Sequence, residues 1–364
     1  MSGSNKSVAF YDPTKTYDDN FDNGPFEVLD DEKKPVNSGE PKFSFLGRKI
    51  YSPFGIPAGP LLNSKYVRYA FEHGFDVVCY KTQRNVKFDC NQFPNVLYLD
   101  VDGDLTLEKA SIPQVGLDST SKDSKHLSIT NSFGNPSRGP EFWSKDLADA
   151  QASCGQGQLL IMSVVGTIQD GFSEEDYWND FAETAKLAVD AGATAVELNL
   201  SCPNVATEGV LCYTHGAVVE IIKRTRAKIG DVPIIAKFGY FSEGQQELLE
   251  RIVSDVTPYL QAISVINTIS APVVDENGEQ ALPGPNRLKS GVCGASIKWA
   301  GLDMVKRLDD FRKKSDLSYE IIGVGGVMSV DDFNEYRDAG ADVVQSATGA
   351  MWNPNLAAEI KATL

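Results

Sequence analysis

The densest concentration of reactive side chains is the stretch Glu197-Leu198-Asn199-Leu200-Ser201-Cys202-Pro203-Asn204-Val205. An apolar run from Ala195 to Leu198 turns polar and ends at a cysteine, a proline and flanking asparagines. A thiol in that setting has two readings. It is either a buried small hydrophobe, the usual fate of a free cysteine, or an acid/base made competent near neutral pH by its surroundings. Pro203 stops the strand, and asparagines on both sides are unusual company for a core residue. His73, His126 and His215 offer Cys202 no evident partner, so a Cys–His hydrolase is the weaker reading.

Other apolar runs end in similar chemistry: Lys81-Thr82, Lys237, Asn267-Thr268, Gly325-Gly326 and Ala347-Thr348-Gly349. One lysine at a strand end is ordinarily a solvated rim charge. Two lysines with several asparagines, in an acidic chain, are harder to assign to the surface. Gly325-Gly326 follows a buried run and precedes a helical pattern, which suits either an anion site of exposed backbone N–H groups or simply a tight turn. The GxGxxG fingerprint is absent, which disfavours a dinucleotide-binding Rossmann fold.

These positions need a scaffold that brings many strand ends to one place. Eight short, apolar, β-branched runs supply it, at 54–58, 77–80, 159–165, 195–198, 233–236, 262–266, 321–324 and 343–345. Near-continuous apolar strands are what a sheet buried on both faces requires. Helical patterns alternate with them at 64–72, 174–191, 217–228, 243–256, 296–314, 330–339 and 355–363. The alternation predicts an α/β fold, a closed (β/α)8 TIM barrel whose working residues sit at the C-terminal ends of the strands. The connection over 83–158 is too long for a plain loop and predicts an insertion over the mouth, containing extended pieces at 96–100 and 128–131. Residues 1–42 form an N-terminal extension, polar and acidic at Asp18-Asp19-Asn20 and Asp30-Asp31-Glu32, predicted to wrap the surface or to be partly disordered. Phe43, Phe45 and Ile50 around Leu46-Gly47 predict a hairpin leading into a single barrel domain, 43–364.

Composition narrows the functional classes. The chain has 364 residues, 42% hydrophobic and 23% charged, with a net charge of −16. That charge disfavours nucleic acid and anionic membranes as partners. The six cysteines form no CxxC pair, which disfavours a metal or iron–sulfur site within the chain. With no signal-like N-terminus and no long apolar run, the expected setting is a reducing cytoplasm without membrane attachment. Asn199-Leu200-Ser201 matches the glycosylation sequon but sits at a predicted strand end, so it carries no weight.

Asn199-Leu200-Ser201-Cys202-Pro203-Asn204 resembles the active-site signature of dihydroorotate dehydrogenases. Further pieces occur in the order that family requires: Phe54-Gly55-Ile56-Pro57-Ala58-Gly59, Lys81-Thr82, Asn131-Ser132-Phe133-Gly134, Lys237, Asn267-Thr268, Gly291-Val292-Cys293-Gly294, Gly325-Gly326-Val327 and Ala347-Thr348. The resemblance covers residues 43 to 352 and implies an FMN-containing barrel that oxidises (S)-dihydroorotate to orotate in pyrimidine synthesis. It implies that Cys202 takes the proton from substrate C5 while hydride passes from C6 to flavin N5, with Lys81 contacting flavin and orotate together. Asn131, Phe133, Gly134, Asn199, Asn204, Asn267 and Thr268 would hold the substrate. Ala58, Gly59, Thr82, Lys237, Asn199 and Asn267 would face the flavin, and Gly291, Gly325, Gly326, Ala347 and Thr348 its phosphate.

A cysteine base resembles the soluble class 1 type. The electron acceptor it implies is fumarate, or a separate iron–sulfur flavoprotein subunit serving NAD, and the expected assembly is a homodimer. The chain departs from the family pattern at Asn135-Pro136-Ser137, where the family reads close to Leu-Pro-Asn. The Glu197–Pro203 region also resembles the flavin domain of dihydropyrimidine dehydrogenases, whose substrates lack the carboxylate. Two further alternatives are a flavin-retaining, non-catalytic partner subunit and a flavin-free phosphate-binding isomerase or lyase.

Overall fold

Eight short strands, buried along nearly their whole lengths, pair in parallel and close on themselves in the computed structural model, which describes residues 10–26, 37, 39–201 and 211–364. In chain order they are β1 (Phe54–Ile56), β2 (Val77–Gln83), β3 (Leu159–Val164), β4 (Val196–Asn199), β5 (Ile234–Phe238), β6 (Ala262–Val265), β7 (Glu320–Val324) and β8 (Val343–Gln345). Closure comes from β8, whose Val344 and Gln345 pair with Phe54 and Gly55 of β1. The helices are α1 (Ser64–Glu72), α2 (Pro140–Ala152), α3 (Glu174–Asp190), α4 (His215–Ile229), α5 (Gln246–Val256), α6 (Lys298–Ser315), α7 (Val330–Asp338), α8 (Thr348–Trp352) and α9 (Leu356–Lys361). The architecture is a (β/α)8 barrel, and none of its described helices is long and apolar enough to cross a membrane.

Three strands outrun their apolar runs, β4 by the single residue Asn199. β2 continues through Lys81 and Thr82 to Gln83, and β5 continues through Lys237 to Phe238. Backbone pairing explains this: Val164 of β3 stays in register with Gln83, and Lys237 with Ser264 of β6. Inside a closed barrel the ladder continues whatever the side chain, so polar residues mark the functional end rather than the strand end.

The N-terminal end is plugged by the antiparallel pair Phe43–Phe45 and Arg48–Ile50, turned by Leu46 and Gly47, both at positive φ as a two-residue hairpin loop requires. Phe45 and Ile50 are fully buried against Val77, Leu159, Ile161 and Ile235 of the barrel. The C-terminal end carries a second closed sheet of five strands. Tyr98–Leu99, Gln114–Leu117 and Ser128–Asn131 come from the long insertion between β2 and β3. Ile269–Val274 and Lys289–Gly294 come from a further excursion between β6 and β7. The pairing Gly291 with Asn131 stitches these excursions together over the mouth.

The described part of the N-terminal extension is built into the core. Phe10, Tyr11, Tyr17 and Phe21 are buried, and the helix Tyr17–Asn23 is tied to α1 through Tyr66 Oη donating to Asn20 O at 2.8 Å. Its acidic residues face outward while its aromatic ones are stripped of water, about 1.5–3 kcal/mol of burial for each large apolar side chain.

Candidate active site

The polar ends of β2, β4, β5 and β6 converge on the barrel axis. Asn199 lies in register with Lys237, and Lys237 with Ser264, which sets three polar residues at one level. One layer lower, Ser163 is in register with Glu197 and donates to its Oε1 at 3.0 Å. Thr82 Oγ1 lies 3.0 Å from the same serine hydroxyl, and the Cys79 thiol points at Glu197 from 3.8 Å. Glu197 is completely buried, its Oε2 has no hydrogen-bond partner among the described residues, and burial holds its carboxyl above the usual carboxylate range.

Above this floor lies a polar lobe with an open space of about 570 Å³, lined by Ala58, Gly59, Lys81, Thr82, Asn131, Phe133, Gly134, Asn135, Glu197, Asn199, Lys237, Asn267 and Thr268. Lys81 and Lys237 are both buried, at 4% and 6% exposure. Lys81 Nζ donates to Gly59 O at 3.1 Å, and Lys237 Nζ to Ser264 Oγ at 3.1 Å. Among the described residues neither has a carboxylate within ion-pair distance. Burial lowers the Lys81 ammonium to about 8 and also lowers Lys237, against the opposing pull of Glu197. A buried ammonium without a carboxylate is costly, and an anionic ligand would relieve that cost. Asn267 Nδ2 donates to Asn199 Oδ1 at 3.3 Å and to Ser201 O at 3.4 Å, so these amides are already oriented.

A second lobe of about 790 Å³ is continuous with the first, sharing Ala58, Gly59, Asn131, Phe133, Lys237, Asn267 and Thr268. It runs outward between the cap and the ends of β7 and β8, reaching Gly325, Gly326, Ser346, Ala347, Thr348 and Gly349. Gly325 and Gly326 have φ of +128° and +65°, and a Cβ on Gly326 would stand 2.7 Å from Lys298 Cβ. Thr348 Oγ1 is buried with no oxygen or nitrogen partner among the described residues, beside the Cys293 thiol.

The anion end differs from its sequence expectation in one respect. α7 begins only at Val330, and its N-terminus is already capped by Ser329 and guarded by Asp331 and Asp332. Asp332 Oδ2 also accepts from Met328 N at 2.9 Å. α7 therefore offers an anion no free end, and what the outer lobe presents there is the glycine loop and the start of α8.

Of the residues selected from sequence, Ala58, Gly59, Lys81, Thr82, Asn131, Phe133, Gly134, Asn199, Lys237, Asn267, Thr268, Gly325, Gly326, Ala347 and Thr348 line one lobe or both. Gly291 lines neither. Its Cα faces Thr268, where a Cβ would come within 2.3 Å of Oγ1, so its part is to let Thr268 seat against the cap strand. Cys202 and Asn204 lie outside the described residues. Ser137 is turned away from both lobes, accepting from Arg84 N at 3.3 Å and Gly139 N at 3.2 Å, and from that stretch it is Asn135 that reaches the polar lobe. Sequence reasoning passed over Glu197 as a wall residue, Ser264, Cys293, and Tyr11 of the extension. Glu197 had a visible signal, a carboxylate inside an apolar run. Tyr11 had none, because nothing local says where an extension folds back.

A family model described as dihydroorotate dehydrogenase matches residues 42–364. A protein of Dictyostelium discoideum named dihydroorotate dehydrogenase is 40% identical over 359 residues, covering 95% of each chain. The catalytic subunit of dihydroorotate dehydrogenase B (NAD(+)) from Alkaliphilus oremlandii is 28% identical over 233 residues, 64% of this chain and 70% of that one. Dihydroorotate dehydrogenase A (fumarate) from Limosilactobacillus reuteri is 31% identical over 204 residues, 53% of this chain and 59% of that one.

Proposed function

The chain belongs to the dihydroorotate dehydrogenase family, and on that premise we propose that it oxidises (S)-dihydroorotate to orotate, the step of de novo pyrimidine synthesis, with FMN as its resident cofactor and Cys202 as the general base. The observation that carries the reading is the pair of buried lysines in a two-lobed cavity, with amides at one end and a glycine cradle at the other.

The residues present fit FMN. The outer lobe ends where Gly325 and Gly326 leave no Cβ and where the buried Thr348 hydroxyl lacks an oxygen or nitrogen partner among the described residues, a suitable seat for a phosphate. Lys237 sits deeper, where its ammonium would stabilise negative charge on a pyrimidine-type ring. FMN, when bound, supplies the two-electron acceptor for the hydride leaving the substrate.

The chain's own contributions then follow from the geometry. Asn131, Asn199 and Asn267 present amide donors and acceptors to a ring of amide edges, and the existing Asn267–Asn199 hydrogen bond fixes two of them before substrate arrives. Lys81, with a single internal acceptor among the described residues, keeps N–H donors for the substrate carboxylate. Cys202 follows directly on Ser201, whose carbonyl is held by Asn267, and its role is to remove the proton from C5. Electrons leave to an acceptor outside the chain, fumarate or a separate subunit, as the names of the two bacterial relatives illustrate.

Anaerobic mixing with dihydroorotate, and separately with dihydrouracil, tests the reading through loss of the flavin's visible absorbance. Bleaching by dihydroorotate alone is expected, and bleaching by dihydrouracil alone would transfer the chain to dihydropyrimidine chemistry. Cys202→Ala is expected to slow that reduction by roughly two to four orders of magnitude, the usual worth of a general base, with FMN still bound. An unchanged rate would remove Cys202 from its role.

A further inference from the structure

The family match begins at residue 42, yet two aromatic residues from residues 10–26 reach the site, Tyr11 at the outer lobe and Tyr17 against Lys81. Tyr11 lines the outer lobe and packs edge-on against Phe133, with centroids 5.7 Å apart. Tyr17 meets the same ring at 6.1 Å. The Lys81 ammonium lies against both rings of that pair, 4.7 Å from the Phe133 centroid and 5.7 Å from that of Tyr17. On its far side Tyr17 lines an outer groove with Asp18, Cys90, Asn91 and Arg138. The tyrosine ring is therefore a partition between solvent and the lysine.

We propose that the N-terminal segment is a fixed wall of the active site, in which Tyr17 acts as a positioning residue that orients the Lys81 ammonium and keeps it dry for an anionic substrate. The proposal rests on the functional reading above for the identity of the anion, and on geometry alone for the wall.

Three features make the partition specific. A cation over aromatic faces is attracted without being neutralised, so Lys81 keeps its charge for a ligand. Tyr17 is held from outside by its own helix, by Phe21 at 6.0 Å, and by Arg138, which stacks on Phe21 and pairs with Asp18 at 2.8 Å. Among the described residues, the groups on the wall side of Lys81 are neutral near pH 7, since burial holds the Tyr17 hydroxyl above its ordinary value and the Cys90 thiol at about 11. Glu197 and Lys237 share its lobe on the barrel side, the first raised and the second lowered by burial. What lowers Lys81 to about 8 is dehydration, which the wall imposes.

The test compares Tyr17→Ala and Tyr17→Phe with the unaltered holoprotein, reading the pH dependence of Lys81 acylation by a small anhydride through mass spectrometry, and orotate binding by calorimetry. Opening the wall rehydrates the ammonium, so in Tyr17→Ala the labelling midpoint is expected to rise by about one unit, since relief of desolvation favours the charged form. Orotate is expected to bind about tenfold more weakly once its ammonium is no longer held over the rings. Tyr17→Phe, which keeps the ring, is expected to restore both. A wild-type midpoint in Tyr17→Ala, or a Tyr17→Phe variant shifted as far as the alanine, overturns the proposal. If Tyr17→Ala does not fold, Phe133→Leu opens the facing wall, and an unshifted midpoint there overturns it equally. The labelling midpoint needs neither substrate nor turnover, so a protein inert toward dihydroorotate could still pass or fail this test.

Discussion

Gly326 shows how narrow the tolerances are at the scale of one residue. It combines a left-handed φ of +65° with a virtual Cβ 2.7 Å from Lys298 Cβ and 2.8 Å from Lys298 N. A side chain there must strain the loop and displace the start of α6. Gly326→Val is expected to yield folded protein that loses its flavin on gel filtration, because the cradle changes while the barrel ladder does not. Retention of full flavin would remove the glycine loop from the phosphate site. Lys81 and Lys237 carry the complementary lesson. Their burial was foreseeable from their place after apolar runs. Their lack of ion-pair partners among the described residues was not, because pairing depends on which strands close beside them.

At the scale of elements, the cap depends on one side chain more than on its short ladders. Arg287 is buried and donates to Gln92 O and Pro283 O at 2.6 Å, Pro94 O at 2.8 Å, and Ser132 through Oγ at 3.1 Å and its carbonyl at 3.2 Å. It thereby ties the excursion after β6 to the insertion after β2. Arg287→Ala leaves several buried carbonyls without donors, a loss of about 3 kcal/mol. Protease cleavage within residues 86–133 is expected to accelerate well before the barrel's far-UV dichroism changes. Unchanged cleavage would show that the ladders suffice. The barrel strands were legible because their apolar runs are continuous and bounded by polar residues. α2 was also available in principle, as Trp143, Leu147 and Ala150 mark a helical face behind Pro140, but it was lost inside an insertion read as a single unit. The cap sheet was legible only as fragments. Its Ile269–Val274 strand carries a proline at Pro272, and its pairings join segments far apart in sequence.

At the scale of the whole molecule, α9 is fastened to the first two strands of the barrel. Asp76, immediately before β2, is fully buried and accepts from Lys361 of α9 at 2.7 Å and from Ser52 at 2.7 Å. Its carbonyl receives Leu159 N of β3, and its own N–H donates to Phe54 O of β1. Lys361→Met strands a carboxylate in the interior, which costs about 3 kcal/mol, whereas the double change with Asp76→Asn should recover much of that in chemical denaturation. A double variant no more stable than the single one would contradict the pairing. The deficit also has a sign in pH. Burial raises the Asp76 carboxyl above its unfolded value, so the folded state binds the extra proton and the deficit shrinks as pH falls toward the carboxyl range.

The stitching of the cap has a consequence for the order in which the protein is made. Asn131 finds its partner only in Gly291, and β1 finds its second neighbour only in β8. The cavity wall runs from Tyr11 to Met351, so a growing chain can assemble most of its helices while the cavity still lacks its far side. Contacts of such long sequence separation form late. On the proposed function, capture of a flavin would therefore follow synthesis of the last strand, and a chain truncated shortly before β8 is expected to leave the ribosome colourless however much of its barrel had formed.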